Sequence, residues 1–249
     1  MSNFKKIMSS FRLKDSLSKD IWVKSNGGYT MKPNVRERLL KIANDFIDFL
    51  DVDLVISDII MSGSLANYNW SDYSDIDLHV VADFSQFNEI EKPLYEELFY
   101  LKKSIYNKKH DITIYGYEVE LYVEDESQIN EVKNIAKFSI LDNEWIETPT
   151  QDDVSFSNET VKSKAKQWMN IIDKLIDNIK DEDFEEAKIL IDKYNDKLRK
   201  YRTCGLQKGG EYSDENLVFK VLRRNGYLEK LRGLKDKLTD NALTLKESR

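Results

Sequence analysis

The sequence predicts an α+β protein in two parts: a small mixed β-sheet core flanked by helices over residues 1–150, then an α-helical bundle over 151–249. Three observations carry this. Short β-branched apolar runs with period-two alternation are confined to the first part. Between two of them lies a tight Gly63-Ser64 turn and, ten residues on, the triplet Asp75-Ile76-Asp77. Beyond Pro149 the strand signals stop and only helical periodicity continues.

At 249 residues the chain can hold two cores of ordinary size. With 41% hydrophobic and 33% charged residues it falls in the ordered, soluble class. The net charge of −7 disfavours nonspecific nucleic-acid binding by the whole molecule but leaves room for a local basic patch. A single cysteine, Cys204, excludes an internal disulfide, and with only two histidines a zinc site is not expected. No apolar run approaches the length of a membrane span, and the start lacks a signal-type apolar segment, so a cytoplasmic protein without a membrane partner is expected.

Residues 1–33 carry weak signals: Asp20-Ile21-Trp22-Val23 suggests a short edge strand and Ser25-Asn26-Gly27-Gly28 a turn, the whole packing on the outside. From Pro33, the positions Val35, Leu39, Ile42, Ala43, Phe46, Ile47 and Leu50 recur at helical spacing. Leu54 to Met61 reads as a strand, and Ile76 to Val81 as a second. A helix over 94–106 follows, with Leu94, Leu98, Leu101 and Ile105 as its apolar stripe. His110 to Val123 reads as two strands meeting at Gly116, residues 129–135 as a short helix, and Lys137 to Ile146 as two strands around Asp142-Asn143. Three helical patterns follow, over 158–179, 184–201 and 215–238; the first turns Trp168, Ile171, Ile172, Leu175 and Ile179 to its core.

Strand alternation puts Asp75, Asp77 and His79 on one face and Ile76, Leu78 and Val80 on the other. Two carboxylates held together repel unless a cation or proton compensates, and hard oxygen ligands suit Mg²⁺, whose remaining positions go to water and substrate phosphates. The Gly63-Ser64 turn lets backbone N–H groups and a hydroxyl approach such phosphates. On the strand ending near Val123, Glu118, Glu120 and Tyr122 share the face opposite Val119, Leu121 and Val123.

The pattern Gly63-Ser64, ten residues, Asp75-Ile76-Asp77 resembles the nucleotidyltransferase superfamily that includes DNA polymerase β, the kanamycin nucleotidyltransferases and the minimal nucleotidyltransferases. The resemblance implies that the turn holds a nucleoside triphosphate and that Asp75 and Asp77 hold two Mg²⁺, with Mn²⁺ as a substitute. It also implies a third acid on a later strand that completes the metal site and assists deprotonation of the acceptor hydroxyl. Glu120 fits that role best and Glu118 is the fallback. Ala66-Asn67-Tyr68 stands where many small members have Ala-Arg-Gly, which leaves one phosphate contact open. The stretches 64–84, 117–125 and 216–231 also look like small predicted nucleotidyltransferases of large tailed bacteriophages.

Lys197 to Asp240 carries twelve Lys or Arg against six Asp or Glu. Its loop, Gly205 to Ser213, precedes a helix starting near Asp214, and Lys220, Arg223 and Arg224 follow within the next turns. These three are candidate contacts for a triphosphate or an RNA end, and equally read as solvated helix charges. The expected activity is therefore transfer of a nucleoside monophosphate from an NTP to an acceptor hydroxyl, an RNA end in the first instance. A protein hydroxyl, as in AMPylation-type modification, and a non-catalytic nucleotide-binding module are the alternatives.

Overall fold

In the computed structural model, residues 2–25, 27–129, 135–151, 156–179 and 184–245 are described. The chain divides into two compact units, Arg12–Asp152 and Met1–Phe11 with Asp153–Arg249. The second unit thus includes the first eleven residues, which sequence reading assigns to the sheet part. They carry a short helix, α1 (Ser2–Ser9), for which the sequence offers no clear signal.

The first unit is mixed α+β. A hairpin of β1 (Trp22–Ser25) and β2 (Gly28–Met31) precedes α2 (Pro33–Leu50), which begins with proline at its first turn, where no intrahelical partner for an N–H is needed. Next come β3 (Ile56–Ser62), β4 (Ile76–Ala82), α3 (Glu91–Lys109), β5 (Thr113–Ile114), β6 (Tyr117–Asp125), β7 (Lys137–Ser139) and β8 (Glu144–Glu147). The last six strands form one sheet in the order β5-β6-β4-β3-β7-β8. Only β4 and β6 run parallel, a pairing that needs a long crossover, and α3 with β5 supplies it. Where β6 extends past the short β5, the Asn107 side-chain amide bonds both the N–H and the C=O of Leu121, standing in for a strand.

One sheet face is apolar: Ile59, Met61, Ile76, Leu78, Val80, Val119 and Leu121 are buried in a core with Leu39, Ala43 and Phe46 of α2. The segment before α2 is not external, contrary to expectation. Leu17, Ile21, Trp22 and Met31 are all within 3% of full burial. Trp22 stacks on Trp145 and donates to the Leu65 carbonyl at 2.7 Å, so the aromatic side chain is consumed by the core.

The apolar stripe of α3 also faces the other way from the one predicted. The helix buries Phe99 and Tyr106, with Tyr95 packed beside them, while Leu94, Leu101 and Ile105 are 65%, 50% and 55% exposed. Aromatic rings fill the core here through contacts of Phe99 with Phe84 and of Tyr106 with Phe46. The helix expected over 129–135 lies, apart from its ends, outside the described residues.

The second unit is helical: α1, α4 (Asn158–Asn178), α5 (Phe184–Gly209), α6 (Asp214–Arg224) and α7 (Tyr227–Leu243). Trp168, Ile172, Leu175 and Ile179 are buried as the periodicity of α4 predicts. Two boundaries differ from the sequence reading. The helix α5 continues through Gly205, where a Cβ would lie 2.5 Å from the Glu215 Cβ, so the glycine serves the close approach of the α6 start rather than a loop. The single helix expected over 215–238 is two, broken at Gly226, whose φ of +74° is left-handed. Among the described residues no helix is long and apolar enough to cross a membrane.

Candidate active site on the open sheet face

The sheet face opposite the core carries the candidate site residues, and strand register decides which groups meet. Asp77 on β4 is paired with Ser62 on β3 and with Glu120 on β6, so Ser62, Asp77 and Glu120 form one row across three strands. Ile60, His79 and Tyr122 form the next row. Asp75 precedes β4 and shares the alternation of Asp77. Glu118 is register partner to Thr113 on β5 and is exposed, whereas Glu120 is half-buried beside Asp77.

The turn that leads into this row is tightly determined. Gly63 has φ +79° and ψ −164°, a region open essentially to glycine alone, and caps a 3₁₀ turn over Ser64–Ala66. A Cβ on Gly63 would lie 1.8 Å from Asp77 Oδ2 and 2.8 Å from its Cγ, so the backbone runs against the carboxylate. The Ser64 hydroxyl donates to Ser74 Oγ at 2.7 Å, and Ser74 Oγ accepts from the Ser71 N–H at 3.0 Å. This ties Gly63-Ser64 to the residue just before Asp75, across the ten-residue spacer.

Three groups that the sequence did not single out as site residues complete the face. The Tyr122 hydroxyl donates to Glu120 Oε2 at 2.5 Å; burial first, then the Glu120 bond and the charges of Asp77 and Asp75, push its pKa far up, so it stays a donor. Lys103 of α3 reaches over the sheet edge, its ammonium 3.5 Å from the Tyr122 ring centroid. Burial lowers the Lys103 pKa, against the opposing pull of Glu120, Asp77 and Glu124, which places a cation among three acids. The third is Glu124, with His79. The ring of His79 stacks on Tyr122 at 4.8 Å, with Nε2 3.0 Å from Ser62 Oγ and Nδ1 3.0 Å from Glu124 Oε1. The bond with His79 holds Glu124 below its ordinary value despite burial, helped by His79, Lys137 and Lys103 charge. Strand alternation signals His79 and Tyr122, but Lys103 had no signal, because α3 was expected to turn its leucines inward.

Beside this row a cavity of about 330 Å³ opens between Ile60, Ser62, His79, Glu124, Gln128 and Lys137. That is the size of a small-molecule site, and Ser62, His79, Glu124, Gln128 and Lys137 bring polar groups to it. Among the described residues no group of three or more His, Cys, Asp or Glu side chains converges into a metal cage by itself.

Two of the three candidate cations of the other unit have local partners. Lys220 bonds Glu211 at 2.5 Å, and Arg224 donates to Ser10 Oγ at 2.6 Å and stacks over Phe11. Arg223 is exposed. The segment Gly205 to Ser213 is mostly the end of α5 followed by a 3₁₀ turn over Gly210–Tyr212, so the expected phosphate loop is not a loop. Ser213 caps α6, its hydroxyl accepting from the Asn216 N–H at 3.3 Å, and Asp214 pairs with Lys164 at 3.0 Å. Compared with known proteins, the chain matches no family model, no curated protein and no solved structure.

Proposed function

We propose that the sheet unit is a Mg²⁺-dependent nucleotidyltransferase of the polymerase β-like kind, transferring a nucleoside monophosphate from an NTP to an acceptor hydroxyl with release of pyrophosphate. One observation carries the reading: Gly63 runs against Asp77 while Glu120 stands beside Asp77 in strand register. A phosphate-approachable turn and paired carboxylates are thereby held in one place.

The donor set fits a hard divalent cation. Asp77 and Glu120 are neighbouring acceptor-only groups with Asp75 at the strand mouth, and Mg²⁺ commonly takes only one or two protein carboxylates when substrate phosphates complete its shell. Bound there, Mg²⁺ would supply neutralisation of phosphate charge and acidity at the acceptor hydroxyl. The chain's own residues do the rest. Backbone N–H groups at Gly63-Ser64 orient phosphate oxygens, Tyr122 holds the Glu120 carboxylate in one orientation, and Glu120 is placed to take the acceptor proton. Lys103 balances the acids while no polyanion is bound.

An RNA end is the acceptor favoured by the basic stretch Lys197 to Asp240. Protein nucleotidylation and a non-catalytic nucleotide-binding module are the alternatives. The test is calorimetry with each NTP, with and without Mg²⁺, then incubation with α-³²P-labelled NTPs and cell extract. The expected result is Mg²⁺-dependent binding, lost in Asp75→Ala with Asp77→Ala, and label in RNA. Label in protein would favour the second reading, binding without label the third, and no nucleotide binding would end all three.

A further inference from the structure

The outward stripe of α3 is built for a partner. Ile90 just ahead of the helix is 81% exposed, and Leu94, Leu101 and Ile105 are 65%, 50% and 55% exposed, with Leu98 half-buried between them. The spacing Leu94, Leu98, Leu101, Ile105 is the four-three-four spacing of a helix-pairing seam. Single exposed leucines need no explanation, but a contiguous apolar stripe along a helix marks an interaction surface.

The charges around the stripe say what covers it. Glu91 lies in the first turn of α3 and Lys108 and Lys109 in its last. About the Phe99-Tyr100 peptide bond the sequence is a palindrome that inverts charge: on the seam and its flanks Leu98 mirrors Leu101, Leu94 mirrors Ile105 and Glu91 mirrors Lys108, while Lys102 bonds the Phe49 carbonyl and Lys103 lies over Tyr122, away from the stripe. A two-fold axis normal to a pair of antiparallel helices brings each position to the height of its mirror on the other copy. Apolar side chains of the seam then meet apolar ones, the acidic first turn meets the basic last turn, and the helix dipoles run opposed. A parallel pairing would stack acid on acid and lysine on lysine.

We propose that α3 is the interface of a homodimer in which two copies of this chain pair their α3 helices antiparallel, centred between Leu98 and Leu101. On one flank Glu91 of each copy then faces Lys109 of the other, within one residue of the same height. The proposal rests on surface pattern alone and is independent of the nucleotide chemistry. At 19 residues the helix is about 28 Å long, which puts the contact at the small end of specific interfaces, so a dimer of about micromolar affinity follows.

The test is sedimentation equilibrium of the full chain from about 1 to 100 µM. A monomer–dimer equilibrium is expected. Leu94→Glu with Leu101→Glu, both at exposed positions that leave the fold intact by circular dichroism, should weaken it more than tenfold. Glu91→Lys alone and Lys109→Glu alone should each weaken it, and the two together should restore it, since the exchanged charges again face each other. In a Cys204→Ser background, a mixture of Leu94→Cys and Ile105→Cys chains should form mixed disulfides faster than either chain alone. A monomer throughout the range, a dimer indifferent to the leucine changes, or crosslinking of Leu94→Cys chains mainly with themselves would each overturn the proposal.

Discussion

Gly63 and Asp77 share a space too small for a methyl group: a Cβ on the glycine would lie 1.8 Å from the Asp77 Oδ2. The turn and the carboxylate are therefore one structural unit, although thirteen residues separate them in the chain. Gly63→Ala adds the left-handed strain at φ +79° to that collision. It should destabilise the sheet unit by about 1–3 kcal/mol and turn Asp77 away from Glu120. Urea unfolding reads the first effect and Mg²⁺-dependent NTP calorimetry the second; wild-type binding in a folded Gly63→Ala protein would remove Asp77 from the proposed site.

Glu120→Gln should abolish transfer while leaving stability nearly unchanged, because the amide is isosteric and can still accept from Tyr122. Glu118→Gln should stay active, since Glu118 pairs with Thr113 at the exposed hairpin and not with Asp77. Single-turnover labelling of both variants distinguishes the two acids, and the reverse pattern would move the third carboxylate to Glu118.

Lys103→Met should bind Mn²⁺ more tightly and NTP without metal more weakly. The ammonium sits among Glu120, Asp77 and Glu124, so its removal leaves more of their negative field for an incoming cation. The expected gain in Mn²⁺ affinity is about threefold to tenfold, measurable by the paramagnetic signal of free Mn²⁺. Unchanged or weaker Mn²⁺ binding would show that the lysine does not act on the acids.

Asp125 gives a pH prediction for stability. Burial pushes its pKa up, but bonds from Lys92 and from the Ser127 N–H and side chain overcome this and hold it below the ordinary value. A folded-state pKa below the unfolded one adds stability that is present above the unfolded pKa and lost as pH falls through the folded pKa. Asp125→Asn should therefore cost about 1–3 kcal/mol at pH 7, with the difference from wild type narrowing below about pH 4. Denaturant midpoints at pH 7 and pH 3 check it.

Arg223→Glu should lower RNA labelling and make it less steeply salt-dependent while leaving NTP binding intact, as expected for loss of about one phosphate contact. Arg224 is a poor choice for this test, because it bonds Ser10 and covers Phe11, and its substitution acts on the packing of the helical unit. Labelling titrated against NaCl gives the slope; an unchanged slope would take Arg223 out of the acceptor path.

What the sequence determined is local. The alternation of Ile76, Leu78 and Val80 with Asp77 and His79 is enough to say which side chains share a face, because the strand period is two whatever the strand lies beside. The same holds for the buried face of α2 and for the strand pairs around Gly116 and Asp142-Asn143. The ten-residue spacing of Gly63-Ser64 from Asp75 also reads directly, since the turn closes on itself through Ser64 and Ser74.

Tertiary structure decided what depends on neighbours distant in sequence. The parallel pairing of β4 with β6 and its register put Glu120, and not Glu118, beside Asp77; the sequence ranks Glu120 first, but which glutamate meets Asp77 is set by that long-range pairing. Where Gly205 sits is fixed by what packs against it, the close approach of Glu215, which no local pattern shows. On α3 two apolar faces compete, one aliphatic and one aromatic, and helical periodicity is satisfied by either. The aromatic face won because Phe84, Phe46 and Phe49 lie where its rings can pack, which brought Lys103 to the acids and left Leu94, Leu101 and Ile105 in solvent. A helix records in its own sequence that it has an apolar face, but which face is buried is set by the volume its neighbours leave open.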